Sequence, residues 1–267
     1  MKKAALKAHF LAQGAAAGLT GSRACLARKF VALMPPQPAL EIGPFGRPRI
    51  RGDHVAYFDV MDQAALMDLA RSKGRPHEDC PPIEFVSSNG DLSVVTRRFR
   101  HLFASHALEH QPNLIRHLRQ AESLLLPGGA YWLVLPDKRY CFDHFRSLTT
   151  AADVLGAWAE DRRVHALGHV FEHRALTTHN DAARHWAGDH GAPNLTRERI
   201  EGAMEEIRRA DGGYIDVHAW RFTPDSFRDL ITLLADLGLT RFRPARVYNT
   251  PRDRQEFCAV LTVEPGA

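Results

Sequence analysis

Two rhythms of hydrophobic and polar positions run along this chain. Short apolar runs close on Gly, Pro, Asp or Ser: Ala39, Leu40 and Ile42; Val55 to Phe58, ending in Asp59; Ile83 to Ser87; Leu102 to Ala104; and Tyr131 to Leu135, ending in Pro136. Such runs predict short buried strands. Helical spacing appears from Asn113 to Leu126, with Leu114, Ile115, Leu118, Ala121, Leu124 and Leu125 on one face and Pro127-Gly128-Gly129 as the stop. It appears again after Thr223-Pro224-Asp225, a helix start, through Phe227, Leu230, Ile231, Leu234 and Leu237 to Gly238. Strands that alternate with helices predict an α/β domain with a mostly parallel, doubly wound sheet. Arg241 to Tyr248 and Glu256 to Val263, joined by Asn249 to Asp253, predict an antiparallel hairpin at the C-terminus.

The segments between order the chain. Residues 1–36 read as an N-terminal helical segment closed by Pro35-Pro36, and residues 37–267 as one domain. Within it, residues 147–220 lack a strand pattern and form a helical insertion after the fifth strand, placed to act as a lid over the acceptor side. The N-terminal stretch is basic, but Lys7, His9 and Gln13 interrupt any apolar core, so a packed helix is expected rather than a signal peptide. No apolar run approaches the roughly 20 residues of a membrane span.

Composition narrows the class. The chain has 267 residues, 45% hydrophobic and 25% charged, enough for a sizeable globular core. The net charge of +4 is dispersed, so nucleic acid binding is not indicated. Cys25, Cys80, Cys141 and Cys258 form no CxxC pair, which points away from a zinc knuckle or disulfide scaffold and towards the cytoplasm.

The candidate chemistry lies in ALEIGPFGRP, residues 39 to 48. A strand meets a glycine turn, where the backbone can approach a ligand without an intervening Cβ. The next strand ends in Asp59, an acid suited to ribose hydroxyls. Gly43 and Gly46 bracket Pro44 and Phe45, so the GxGxxG dinucleotide fingerprint is broken.

LEIGP at 40–44, SHALEH at 105–110 and LLLPGGAYWLVLPD at 124–137 together resemble the motifs of class I S-adenosylmethionine-dependent methyltransferases, in their type-11-like group. The resemblance covers residues 37–146 and 221–263 and implies a Rossmann-like sheet with S-adenosylmethionine as cofactor. It implies Glu41 and Gly43 at the methionine end of the cofactor, with Pro44 and Gly46 in the same turn. It further implies Asp59 on the ribose, Asn89 and Asp91 near the adenine, and Ser105 and His106 beside the donor sulfur. The chain departs from the pattern at Phe99-Arg100-His101-Leu102, where the family has an acid, and in its missing glycines.

Methyl transfer is an in-line displacement in which positioning carries much of the acceleration, and a base is needed only for an acceptor that must lose a proton. Asp143 and His144, just past the fifth strand, are the candidate base pair, with His106 as second choice; Glu109 and His110 read as capping the next helix. His165, His169 and His173 fall at i, i+4, i+8 and are expected on one polar helix face rather than around a metal. The acceptor expected is a small-molecule or glycan-linked metabolite, a sugar hydroxyl among them. The alternatives are an NAD or nucleotide-sugar oxidoreductase, and a non-catalytic binding module on the same fold.

Overall fold

The computed structural model describes residues 24–263. Seven strands form one sheet in the order β3-β2-β1-β4-β5-β7-β6. β1 (Ala39–Ile42), β2 (Val55–Asp59), β3 (Phe85–Val86), β4 (Phe99–Ser105) and β5 (Leu125–Pro136) are mutually parallel. β7 (Glu256–Val263) runs antiparallel to both β5 and β6 (Phe242–Val247). This is the predicted Rossmann-like sheet finished by an antiparallel hairpin.

Strand alternation splits the core into two layers. Leu102, Ala104, Tyr131, Leu133, Leu135, Phe257 and Ala259 face one side, where they meet α3 (Leu114–Ser123), α4 (Ala151–Ala159) and α8 (Pro224–Asp236). Phe103, Trp132, Val134, Cys258 and Val260 face the other side. There α1 (Ala27–Val31) seats Phe30 against Trp132, with ring centroids 5.1 Å apart, and against Tyr248 at 5.8 Å. Of the segment 1–36 expected to be helical, α1 covers residues 27–31, and residues 1–23 lie outside the described residues.

Local chemistry sets the helix ends. Asp62 caps α2 (Gln63–Ser72) and Asn113 caps α3. At α8 the Ser226 N–H donates to Thr223 Oγ1 (3.2 Å) and the Thr223 N–H to Ser226 Oγ (2.9 Å), with Pro224 in the first turn. Thr223→Ala removes an acceptor from an orphan N–H and is expected to cost about 1 kcal/mol. Urea unfolding at fixed pH checks it.

The structure departs from the pattern in four places. α3 ends at Ser123, and Pro127-Gly128-Gly129 falls inside β5, where the β4–β5 register shifts. β3 is only two residues long. His165 precedes α5 (Leu167–Ala175), so His165, His169 and His173 do not share one helix face. No helix joins β1 to β2: residues 43–54 are loop. Pro44 and Pro48, with Gly43 and Gly46, sit within six residues of that loop, and proline in a helix interior removes a donor and clashes with the preceding turn.

The insertion is helical, with α4, α5, α6 (Ala182–Trp186) and α7 (Arg197–Ala210). Its exit is tied to the turn after β4: the Ala219 and Trp220 N–H groups donate to Glu109 O (2.7 and 3.2 Å), and Trp220 Nε1 to Gln111 O (2.6 Å). Trp220 is fully buried. Among the described residues no helix is long and apolar enough to cross a membrane.

Candidate functional site

Register sets which residues share the sheet edge. Ile42 pairs with Phe58 and with Ala104, so the next residues, Gly43, Asp59 and Ser105, leave the carboxyl ends of three adjacent strands together. β1 lies between β2 and β4, so the chain order reverses there, at the crevice where open α/β sheets bind ligands.

Gly43 has φ +72°, a left-handed conformation, and a Cβ on it would stand 3.0 Å from the Ala107 Cβ. Its N–H donates to Phe58 O (2.8 Å), and the Phe45 N–H donates to Asp59 Oδ2 (3.1 Å). Asp59 Oδ1 accepts from the Val60 N–H (2.7 Å). Asp59 is thus a buried acid at the end of β2 that already holds the glycine turn, and burial raises its pKa. Gly46 lies under a backbone carbonyl: a Cβ there would meet Pro76 O at 3.0 Å.

Glu41 has a job beyond the one expected of it. Its carboxylate, 1% exposed, accepts from the Arg49 N–H at 2.8 Å and the Ile50 N–H at 3.0 Å, so it pins the loop that follows Gly43. Burial pushes its pKa up to about 7 against the pull of those two amides. A folded-state value above the unfolded one means that folding favours the protonated form. This contribution is complete below pH 4.5 and is lost as pH rises towards 7. The expected loss is on the order of 1–3 kcal/mol over that window. Glu41→Gln should flatten that part of a stability–pH profile; an unchanged slope would assign it elsewhere.

Asn89 and Asp91 follow β3 as expected, but Asp91 is committed to protein partners. It caps the next turn at the Ser93 N–H (2.9 Å), accepts from Gln120 Nε2 (2.6 Å) and pairs with Arg116 of α3. Asn89 Oδ1 accepts from Ser87 Oγ at 2.9 Å and from the Asp91 N–H at 3.2 Å.

The candidate bases come out differently from expectation. Asp143 is 1% exposed and turned inward, 2.6 Å from Arg146 Nη1 and 2.5 Å from His218 Nδ1. Burial alone would raise its pKa, but His218 and Arg146 hold it far below the usual carboxylate range. It is no general base. His106 is also unsuited at neutral pH: burial opposes its charge, yet Glu109 and Glu256 hold its pKa up to about 9. Its Nε2 is 2.9 Å from Glu256 Oε2. His144 stands apart from both. Its Nδ1 bonds the Arg139 carbonyl (2.8 Å), which leaves Nε2 as the lone-pair nitrogen, and its ring stacks on His190 of the insertion at 3.7 Å. Burial lowers its pKa, so it is neutral at pH 7.

Glu109 and His110 do not cap α3, which Asn113 does. Glu109 is fully buried, and neither carboxylate oxygen has a hydrogen-bond partner. His110 Nδ1 instead bonds Asp216 Oδ1 at 2.8 Å, across to the end of the insertion. Asp216 in turn adds to the upward push on Asp59. Residues 216–220 therefore border the turn after β4, through His110 and the Glu109 carbonyl. Only the mixture of Asp, His and Trp in residues 216–220 hinted at them in the sequence.

No protein-family model and no curated protein matches the chain. Among solved structures it is similar to the CcbJ methyltransferase from Streptomyces caelestis, at 14% identity over 89% of this chain and 88% of that one, TM-score 0.44. It is also similar to DhpI in complex with SAH, at 14% identity over 85% and 77%, TM-score 0.40. A third is the mitomycin 7-O-methyltransferase MmcR, at 10% identity over 84% and 48%, TM-score 0.38. Likeness this distant does not say what this chain binds.

Proposed function

We propose that this protein transfers a methyl group from S-adenosylmethionine to a small-molecule or glycan-linked acceptor, with a sugar hydroxyl the acceptor of first choice. The observation that carries the reading is the β1 exit: a left-handed glycine turn beside a buried acid at the end of β2, with no helix after it. The donor is an adenosine bearing a sulfonium and carries no phosphate. It needs close backbone approach and a ribose acceptor, which Gly43 and Asp59 offer.

The same observation disfavours the oxidoreductase. A pyrophosphate is held by free amides at a helix N-terminus. Here residues 43–54 form no helix, Pro44 has no N–H, and the Gly43 and Phe45 amides are used by Phe58 O and Asp59 Oδ2. Gly43, Pro44, Gly46 and Asp59 are proposed as the cofactor cradle, with Glu41 shaping it. Ser105 borders the donor sulfur, and Asn89 borders the adenine. His144 is the proposed acceptor-side imidazole, since its stacked partners His185 and His190 belong to the insertion.

Incubation with methyl-labelled S-adenosylmethionine and a panel of sugars, nucleotide sugars and small phenols tests the reading. Label in an acceptor supports it. Bound cofactor with no transfer to any acceptor class would favour a binding module.

A further inference from the structure

Glu109 is a buried carboxylate with no hydrogen-bond partner. It is closed to solvent, and a buried carboxylate left without such a partner is costly. Three imidazoles surround it at distances too long for hydrogen bonds: His106 Nδ1 at 3.5 Å, His110 Nε2 at 3.9 Å and His218 Nε2 at 3.9 Å. Each ring is held from behind by an outer carboxylate on its other nitrogen. Glu256 holds His106 Nε2 (2.9 Å), Asp216 holds His110 Nδ1 (2.8 Å) and Asp143 holds His218 Nδ1 (2.5 Å). When a cation binds, each ring gives up any inward proton, and its outer carboxylate keeps the remaining proton on the nitrogen it faces and the other lone pair inward, the arrangement that orients histidines around a metal.

We propose that Glu109, His110 and His218 form a binding site for a divalent first-row transition cation, zinc or cobalt, with His106 as a neighbouring fourth donor. One ligand atom from each of the three lies within 4.8 Å of the others. Two ligands about 2.1 Å from a metal at a tetrahedral angle lie about 3.4 Å apart, so His110 and His218, each 3.9 Å from Glu109, close on it by about 0.5 Å, and no pair of the set has to close by more than about 1.4 Å. Mixed imidazole and carboxylate donors suit these cations rather than calcium or magnesium. His110 keeps partial solvent access, which gives the cation an entry path.

A second trio, His144, His185 and His190, is also compact. Four of its six ring nitrogens are spent on protein groups: His185 Nδ1 and His190 Nδ1 on each other (3.0 Å), His185 Nε2 on His179 O (3.1 Å) and His144 Nδ1 on Arg139 O. It lacks a carboxylate and an outer shell, and it serves as the internal control.

The site stands whether or not the chain transfers methyl groups, and its test needs no turnover. Protein freed of metal by a chelator is titrated with Co²⁺, followed by the visible absorption of nitrogen-ligated cobalt, then challenged with Zn²⁺. One equivalent of Co²⁺ displaced by Zn²⁺ is expected. Asp216→Asn, an exposed outer-shell change that should leave folding intact, is expected to weaken Co²⁺ about 10–100-fold. Glu109→Gln should weaken it at least as much, and His190→Ala should leave it unchanged. Absence of Co²⁺ and Zn²⁺ binding to the wild-type protein overturns the proposal. So does binding that survives Asp216→Asn unchanged and disappears in His190→Ala.

Discussion

Gly43→Val will reduce the affinity for S-adenosylhomocysteine by roughly 100-fold or more, about 2.7 kcal/mol. Two effects act together. The native φ of +72° is costly for any residue with a Cβ and worst for a β-branched one. The added carbon also starts 3.0 Å from Ala107 Cβ, so valine forces apart the exits of β1 and β4 that frame the crevice. Gly43→Ala carries the first carbon alone and should fall between valine and wild type. Calorimetry on variants whose circular dichroism matches wild type separates lost binding from lost fold. Wild-type affinity in folded Gly43→Val would move the cofactor away from the β1 exit.

Asp143→Ala will destabilise the protein by about 3–5 kcal/mol, the usual cost of removing one partner from a buried ion pair. Arg146 has no exposed side-chain surface and would keep only the His218 carbonyl at 2.9 Å and Glu172 at 3.7 Å. His218 would lose the carboxylate that orients it. Urea unfolding reads this directly. A change under about 0.5 kcal/mol, as for an ordinary surface position, would restore Asp143 as a solvent-facing candidate base.

Much of the sheet could be read from the sequence, because strand alternation and its stops are local. The runs ending at Ile42, Asp59 and Ser105, and the paired runs after Gly238, gave a chain order from which the edge follows. The absence of a helix after β1 is also local, written in Gly43-Pro44-Phe45-Gly46-Arg47-Pro48. The site was harder to read, because side-chain direction depends on contacts far along the chain. Asp143 and His144 are neighbours in sequence, yet one turns to Arg146 and the other to His190. Glu109 and His218 come together only because the insertion returns through Ala219 and Trp220 to the Glu109 carbonyl.

The β1 exit is proposed to bind an adenosyl sulfonium and to have no use for a pyrophosphate. Titration of the wild-type protein with S-adenosylmethionine and, separately, with NAD tests this most directly. One-to-one binding of S-adenosylmethionine with a dissociation constant roughly in the micromolar range is expected, with no measurable NAD binding. Saturable NAD binding without any response to S-adenosylmethionine would contradict it.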